Sequence, residues 1–444
     1  MNRRKWVSAG CLSLALTMAG IIARSAPQDQ QQQQKPNYTL VEYNAYNAAD
    51  QEKDPQAKLK MLDDFVAKYP SPDQLTPYIY RDYYLTYYAL KNYPQTIAYI
   101  DKLLTLRIVE AMRLPALVAR AEAYFAGSSD KTLQTEEAYN KAKDTSLQGL
   151  QELNKLQKPQ NMTDDQFATQ KKSIGLYFNS VAGIAESGLK DYRSAIDSYK
   201  AAQALDPNNS VTHFRLAVAY LQENPPDSPN GFWELSRSIA LKGPADEQVR
   251  AYLRNQLLHY QQLSCDKLVD DEMNQMITLA GSSVDSPASM TIPSAGDLQK
   301  ARDDTTNFLT WLQEGGEHAK VMWLATCGSE YPDVPVRVLD TAPGENNSLT
   351  LKVYRPVAAD PEAATKEMDA ATIPNMEVHI VAQPDAKRLQ KDDEVRFTGT
   401  LTAYQQSPLL LTWDNAKINP EDLQPAPTSA KRPIRSVAPR KPHT

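Results

Sequence analysis

The five histidines are the first residues to test for chemistry, because imidazole serves both as a metal ligand and as a general base. They are scattered along the chain, at His213, His259, His318, His379 and His443. None has a second histidine at the short spacing typical of metal sites. His213 stands at a packed position of a predicted helix, which favours a core or interface histidine over a ligand.

Carboxylate pairs and signature loops give no catalytic centre either. Asp270–Asp271 and Asp392–Asp393 are sequence neighbours, and adjacent residues diverge on a helix or a strand. The chain contains no Gly-x-Ser-x-Gly elbow, no phosphate-binding Gly-x4-Gly-Lys-Ser/Thr loop and no dinucleotide fingerprint. We therefore expect a non-catalytic protein with no metal and no cofactor.

Cysteine chemistry is restricted to three residues. Cys11 lies in the N-terminal segment, whereas Cys265 and Cys327 fall in different predicted regions. A disulfide between these two would require an oxidising compartment. Two separate thiols are the expectation.

An export signal is indicated by the first 25 residues. The basic "MNRRK", the apolar "WVSAGCLSLALTMAGII" and the small residues "ARSA" together predict a signal peptide over residues 1–25. A retained membrane anchor is the alternative, since the apolar run is long. Residues 26–36 are rich in glutamine and predict a flexible linker. We expect an exported protein of the periplasm or cell envelope.

Charge is unevenly distributed along the chain. The first 25 residues carry four positive charges and the last 22 carry five, with no acid in either, so that residues 26–422 hold −15 against a net charge of −6. Such an acidic body argues against nucleic acid as a partner. The basic, proline-rich residues 423–444 predict a disordered tail capable of at most a weak, salt-sensitive membrane contact.

Small and aromatic residues at helical spacing mark the region before residue 281. In "DYRSAIDSYKAAQALDPNN" four of them share one stripe of a helix that a proline ends. The preceding "SIGLYFNSVAGIAESGLK" and the following "SVTHFRLAVAYLQ" carry matching small and apolar residues. The predicted packing residues are Gly183, Tyr192, Ala195, Tyr199, Ala202, Pro207, Leu216, Ala217 and Tyr220.

This pattern resembles the tetratricopeptide repeat (TPR), a helix pair of about 34 residues. Two adjacent units match in register, and degenerate helix pairs precede them from Tyr38 onward. The resemblance implies an α-solenoid of about five helix pairs over residues 37–281, in which each pair stacks on the next.

The resemblance also implies where a partner binds, namely on first-helix residues that face a concave groove. Tyrosine suits a recognition surface, and 12 of the 23 tyrosines lie between Tyr38 and Tyr99. A protein or peptide partner is expected, without a specified identity. The candidate groove residues are Tyr78, Arg81, Tyr88, Tyr177, Ile184, Phe214 and Val218.

After a predicted linker at residues 282–297, the periodicity changes. A short helix, "DLQKARDDTTNFLTWLQ", precedes six predicted strands in about a hundred residues, which favours a small β-barrel or sandwich over residues 298–422. The final hairpin, with a kink at Gly399, resembles the end of an oligonucleotide/oligosaccharide-binding (OB) barrel over roughly residues 318–420. The predicted strands are "AKVMWLATCG", "VPVRVLDTA", "NSLTLKVYRP", "NMEVHIVAQ", "DEVRFTGTLTAYQ" and "SPLLLTWDNAKI".

The combined interpretation is a multidomain α + β chain, with an N-terminal TPR-like α-solenoid and a small C-terminal all-β, OB-like barrel. The expected role is an exported scaffold or adaptor that binds a protein or peptide. One alternative is a carbohydrate- or polymer-binding envelope protein that acts through the barrel. The other is a self-assembling structural envelope protein, for which concentration-dependent oligomers would be diagnostic.

Overall fold

A computed structural model gives the fold and describes residues 37–70, 74–106, 110–243, 245–263, 265–287, 290–343 and 348–423. The predicted signal peptide, the glutamine-rich linker and the basic tail from residue 424 lie outside these residues. The chain divides into two compact units. The first comprises residues up to Ala251 together with Ile277–Ser286, and the second comprises Tyr252–Met276 and the chain from Pro287. The change of periodicity in the sequence predicts this boundary at residue 281.

Twelve α-helices occupy the described residues between 37 and 282. Their starts follow ordinary capping chemistry: Asp54 caps a helix that has Pro55 at its first position, and Thr163 forms a capping box with Gln166. The helices are α1 Leu40–Gln51, α2 Pro55–Lys68, α3 Thr76–Ala89, α4 Tyr93–Thr105, α5 Glu110–Ala126, α6 Glu136–Lys155, α7 Asp164–Gly188, α8 Tyr192–Leu205, α9 Ser210–Gln222, α10 Ser228–Ala240, α11 Asp246–Gln261 and α12 Asp266–Ser282.

Helices α1 to α10 pack chiefly on their neighbours in sequence, which gives consecutive helix pairs. The small residues allow this close packing: Ala195 and Ala202 are fully buried, and Gly183 faces the ring of Tyr199. A Cβ atom at Gly183 would come within 2.5 Å of that ring. The first unit is therefore a TPR-like stack of helix pairs, as the spacing predicted. The segment after residue 245, predicted only as continuing helix, forms α11 and α12.

The second unit contains short helices and a closed five-stranded barrel in the order β1-β2-β3-β5-β4. No helix in the described ranges is both long and apolar enough to span a bilayer. The elements are α13 Ala295–Asp303, α14 Phe308–Glu314, α15 Gly316–Thr326, β1 Glu330–Pro343, β2 Leu349–Tyr354, α16 Pro361–Ala370, β3 Met376–Ile380, β4 Glu394–Gln405 and β5 Leu410–Ile418.

Closure of the barrel depends on β1, which pairs antiparallel with both β2 and β4, while β3 pairs parallel with β5. Alternate residues point inward, and Phe397 and Trp413 meet in the core with ring centroids 5.3 Å apart. Gly399 lies where the β4–β5 register shifts, and a Cβ atom there would come 3.0 Å from Ala416. The kink predicted at Gly399 is therefore a β-bulge.

The prediction of a strand at "AKVMWLATCG" is wrong, because this segment forms helix α15. Gly315 and Gly316, at φ +80° and +71°, redirect the chain just before it. Ala319, Met322 and Thr326 are then buried at spacings of three and four, which is helical periodicity. The other five predicted strands are present, and helix α16 between β2 and β3 was not predicted.

The expectation of two separate thiols is also wrong. Cys265 and Cys327 form a disulfide, with their Cα atoms 5.7 Å apart. Leu263 and Leu268 pack against the buried cluster that contains Leu324, and this packing places Cys265 beside the end of α15. Spacing in the sequence could not reveal the pair, because 62 residues separate the two cysteines.

Candidate partner-binding face

The first helices of successive pairs contact one another. The Tyr46 hydroxyl on α1 donates a hydrogen bond to Asp82 on α3 over 2.8 Å. On the next first helices, the ring centroids of Phe125 (α5) and Tyr177 (α7) are 5.6 Å apart, and the Arg215 guanidinium of α9 lies 4.8 Å from the Phe125 centroid. We call the surface of these helices the first-helix face; it comprises Tyr78, Arg81, Leu85, Tyr88, Glu122, Phe125, Tyr177, Ile184, Phe214, Arg215 and Val218.

Four residues form one stripe of α3, at positions 78, 81, 85 and 88. Tyr78 and Leu85 each expose 41% of their surface, which is unusual for large hydrophobic residues. Leu85 was not among the sequence candidates, although its spacing of seven from Tyr78 places it on the same stripe. These two side chains give α3 an accessible apolar surface.

Arg81 is already engaged within the protein. Its guanidinium bonds to Asp82 at 2.9 Å and to Asp50 at 3.2 Å, and it lies 5.5 Å from the Tyr78 ring centroid. Burial raises the pKa of Asp82, an effect that Arg81 and Tyr46 oppose. The structure therefore places this predicted groove residue in an internal ion-pair cluster, with Tyr78 on its outer side.

The centre of the face is aromatic. Tyr177, a sequence candidate, packs against Phe125, and Arg215 covers the same Phe125 ring. Ile184 and Phe125 help to line a cavity of about 20 Å³, which suffices for one water molecule but not for a partner's side chain. Phe125 and Arg215 were missed by the sequence analysis, because contacts between first helices leave no local signal.

The remaining candidates lie at either side of this centre. Tyr88 is half-buried with its ring centroid 5.8 Å from that of Tyr93, and burial raises its pKa to about 12. Phe214 and Val218 are half-buried on α9, on the stripe that also carries Arg215. The structure thus brings Tyr177, Ile184, Phe214 and Val218 onto neighbouring first helices.

Glu122 is a further residue that the sequence analysis missed. It lies on α5, one turn from Phe125, and is half-buried. Burial raises its pKa to about 7. Burial also raises the pKa values of Tyr84 and Tyr88, and the Glu122 charge adds to this effect. The only hint in the sequence is the acid in "LVARAEAYFA", a run that is apolar apart from Glu122, Arg120 and the tyrosine hydroxyl.

The predicted packing residues lie mostly in the interior. Tyr192 is half-buried and Pro207 is exposed, but the Pro207 carbonyl lies 2.9 Å from His213 Nε2. Seven packing residues are buried: Gly183, Ala195, Tyr199, Ala202, Leu216, Ala217 and Tyr220.

Two histidines, His213 and His379, form hydrogen bonds with carboxylates. His213 is fully buried, as a core histidine was expected to be, with Nδ1 2.5 Å from Glu234. On the barrel, His379 lies between Asp414, at 2.6 Å, and Glu377, at 3.1 Å. Within the described ranges, no group of three or more His, Cys, Asp or Glu residues is arranged to bind a metal ion.

The barrel carries a separate depression of about 260 Å³. Ile373, which is 67% exposed, lies on its rim, and the cross-strand pair Lys352 and Glu377 adds both charges. The depression is formed by β2, by the start of β3 and by the β4–β5 turn. Its lining residues are Lys352, Ile373, Pro374, Met376, Glu377, Pro408 and Leu410.

Comparisons with known proteins give no family assignment. No protein-family model matches the sequence, and no curated protein matches it. The fold is similar to that of the apo form of RapI, at 13% identity and a TM-score of 0.33, over 64% of this chain and 96% of RapI. It is also similar to the C-terminal part of a TPR repeat-containing protein from Cytophaga hutchinsonii, at 14% identity and a TM-score of 0.27, over 54% and 94% of the two chains. With TM-scores below 0.5, neither likeness establishes a shared function.

Proposed function

We propose that this chain is a non-catalytic scaffold of the cell envelope that binds a segment of a partner protein on its first-helix face. The observation that carries the proposal is that this face presents apolar, aromatic and basic side chains to a partner. Tyr78 and Leu85 expose large apolar surfaces on α3, and Phe125, Tyr177 and Arg215 form a contiguous polar and aromatic centre. Aromatic residues and arginine dominate the energetic centres of protein interfaces.

A preformed face suits this role on energetic grounds. The helices of the face are held by burial of Ala195, Tyr199 and similar residues within the pairs. The face therefore needs little ordering when a partner binds, which reduces the entropic cost of association. An extended or helical segment of a partner could contact several first helices at once.

Export is the second part of the proposal. It rests on the signal-like residues 1–25 and is supported by the disulfide between Cys265 and Cys327. Disulfides form and persist in oxidising compartments such as the periplasm and are rare in reducing ones.

Affinity capture from the envelope fraction of the native host tests the function. The bait variant carries alanine at Tyr78, Leu85, Tyr177 and Phe214. The matched control carries Val66→Ala and Leu147→Ala, which remove exposed apolar surface (42% and 49% exposed) from second helices. Far-UV circular dichroism and a melting curve verify that each bait is folded.

We expect one or more partners to bind the unmodified bait and the control but not the face variant. Equal capture by all three baits would locate partner binding outside the first-helix face. Because Tyr177 is half-buried, the double variant Tyr78→Ala/Leu85→Ala, both at exposed positions, repeats the test without a risk to folding.

A second candidate function is carbohydrate or polymer binding by an OB-like barrel. The observation that favours it is the depression around Ile373, because strands 2–3 and the β4–β5 loop form the ligand-binding side of OB barrels. Its apolar floor with one cation and one anion at the rim suits a sugar ring with hydroxyl groups. A glycan array probed with the full chain and with Ile373→Asp distinguishes this function, since only the former should bind.

A further inference from the structure

Glu122 is the charged residue of the first-helix face to which the described residues supply no counter-charge. Its side chain is half-buried on α5. Among the described residues, no basic side chain forms an ion pair with its carboxylate and no donor hydrogen-bonds to it. A half-buried carboxylate without a partner destabilises a folded chain, because burial removes water and nothing replaces it.

The fully buried carboxylates of the first unit, Asp82, Glu186 and Glu234, have partners within it. Glu186 lies 3.4 Å from Lys143 and accepts a hydrogen bond from Ser198 at 2.6 Å. Glu234 lies beside His213. Glu122 differs from these fully buried acids, and such departures are found at functional sites. Asp246 also has a buried oxygen without a hydrogen-bond partner among the described residues, but it does not belong to the first-helix face.

The neighbours of Glu122 define what could approach it. One turn further along α5, the Phe125 ring is covered by the Arg215 guanidinium at 4.8 Å and flanked by Tyr177 at 5.6 Å. Arg215 forms no ion pair with Glu122 in the described structure. A cation from a partner would find the Phe125 ring occupied, so the unpaired carboxylate is the attractive position for it.

From these contacts we infer that the partner segment carries a lysine or arginine whose side chain pairs with Glu122, next to an apolar residue that packs on Tyr177. This inference rests on the proposed function and specifies the chemistry of the partner. Burial of the pair at the interface would strengthen it, since the approaching segment excludes water from the carboxylate. The acidic character of residues 26–422, with −15 net charge, acts in the same direction.

A displayed library of random 12-residue peptides, selected on the immobilised full chain, provides the probe. We expect the enriched peptides to share a lysine or arginine beside an apolar residue. A synthetic copy of an enriched peptide should bind at least tenfold more weakly to Glu122→Gln than to the unmodified chain. Its binding to Glu137→Gln should be unchanged, because Glu137 is an exposed acid on α6 paired with Lys141.

A charge exchange completes the test. Glu122→Lys should lose the lysine peptide and bind the same peptide with glutamate in place of lysine. Glutamine is isosteric with glutamate and removes a destabilising charge, so Glu122→Gln is expected to remain folded; circular dichroism verifies this.

The two proposals fail in different ways. If Glu122→Gln binds the peptide normally while Tyr78→Ala/Leu85→Ala or Phe125→Leu does not, the inference about Glu122 is overturned and the first-helix face stands. Enriched peptides without a basic residue have the same meaning. If no peptide is enriched, or binding resists every substitution on the face, the proposed function itself is wrong.

Discussion

Arg81 and Glu122 are both half-buried charges on the first-helix face, yet their surroundings differ. Arg81 has Asp82 at 2.9 Å and Asp50 at 3.2 Å, whereas Glu122 has no ion-pair partner among the described residues. The resemblance to the repeat selected Arg81 as a first-helix position and passed over Glu122. It gave no sign of the Arg81 ion pairs, because Asp50 lies on another helix, 31 residues away. Helical spacing identifies the face on which a side chain lies but not its neighbours across helices.

The state of Glu122 makes a prediction about stability. Burial raises its pKa from 4.5 to about 7, which corresponds to about 3 kcal/mol against folding when the group is ionised. The penalty is absent below pH 4.5 and complete above pH 7, since the folded state binds the proton more tightly than the unfolded state. Glu122→Gln should therefore be more stable than the unmodified chain above pH 7, and the two should converge near pH 4.

Urea unfolding at pH 4, 6 and 8 measures this difference. Glu137→Gln is the control with the opposite sign, because Lys141 lowers the pKa of Glu137 and that stabilisation is lost as pH falls. An unchanged or lower stability of Glu122→Gln at pH 8 would show that the carboxylate is compensated.

His379 gives a pH-dependent prediction for the barrel. Partial burial lowers its pKa, but hydrogen bonds and charge from Glu377 and Asp414 outweigh this and raise the pKa above 6.5. The protonated ring therefore stabilises the fold fully below pH 6.5, and this contribution disappears as pH rises through the raised pKa. The ion pair also needs an ionised Asp414, so the pKa of Asp414 sets the lower end of this pH range. Partial burial raises that pKa, but hydrogen bonds from Thr402 and His379 outweigh burial and lower it to below 3.8.

We accordingly expect His379→Gln to destabilise the barrel at pH 5.5 and to have a smaller effect at pH 9. Tryptophan fluorescence, which reports on the buried Trp413, follows the unfolding. His259→Gln, at an exposed position, is the control. A destabilisation that is equal at both pH values would mean that His379 acts through packing and not through charge.

At the scale of elements, the close contact between α7 and α8 depends on Gly183, which has no side chain. A Cβ atom at Gly183 would lie 2.5 Å from the Tyr199 ring, which is itself 2% exposed. Gly183→Ala should destabilise the helix pair by about 1–3 kcal/mol, even though alanine favours helix. Gly281→Ala, where nothing lies within 4 Å, should be neutral or stabilising by up to about 1 kcal/mol.

Thermal unfolding followed by circular dichroism compares the two variants. A double variant with Tyr199→Leu should recover part of the loss, because the smaller side chain makes room for the added methyl group. Strict additivity of the two substitutions would show that the ring and the glycine do not constrain each other.

The disulfide makes a second prediction at this scale. Cys265 and Cys327 are 62 residues apart. In the chain-entropy description, a cross-link that closes a loop of that length lowers the entropy of the unfolded chain and so stabilises the fold by about 4 kcal/mol. Cys265→Ser should lower the melting temperature of the second unit, and a reducing agent should do the same to the unmodified chain. The reducing agent should have no further effect on the variant; a melting temperature insensitive to both would exclude a structural role.

The sequence alone predicted an element correctly where its residues fit only one periodicity, and failed where they fit both a helix and a strand. The spacing of Tyr199 and Ala202 determined the helix pairs, because burial of these residues requires it. The apolar segment of α15 is too short for its periodicity to distinguish a strand from a helix. The helical spacing of Met322 and Thr326 becomes visible only when the structure shows that both are buried. The Cys265–Cys327 pair and the Phe125–Arg215 contact arise from tertiary packing, which no local pattern encodes.

Over the whole molecule, the charge distribution bears on how fast a partner arrives. Residues 26–422 carry −15, and exposed charges act over about 10 Å at 0.1 M salt and about 3 Å at 1 M. We expect the association rate of a lysine-containing peptide to fall by about tenfold or more between 0.02 M and 0.5 M NaCl, because such steering is screened. Stopped-flow or surface plasmon resonance measurements over this range give the two rate constants separately.

The same measurement separates the field of the whole molecule from the pairing at Glu122. Charges spread over the surface act on the association rate, whereas a buried pair acts on dissociation. Glu122→Gln should therefore raise the dissociation rate and leave the salt dependence of association nearly unchanged, since it removes one charge of many. A peptide with norleucine in place of lysine should lose both effects. An association rate that is independent of salt would mean that the acidic body does not steer the partner, and recognition would then rest on the contacts of the first-helix face alone.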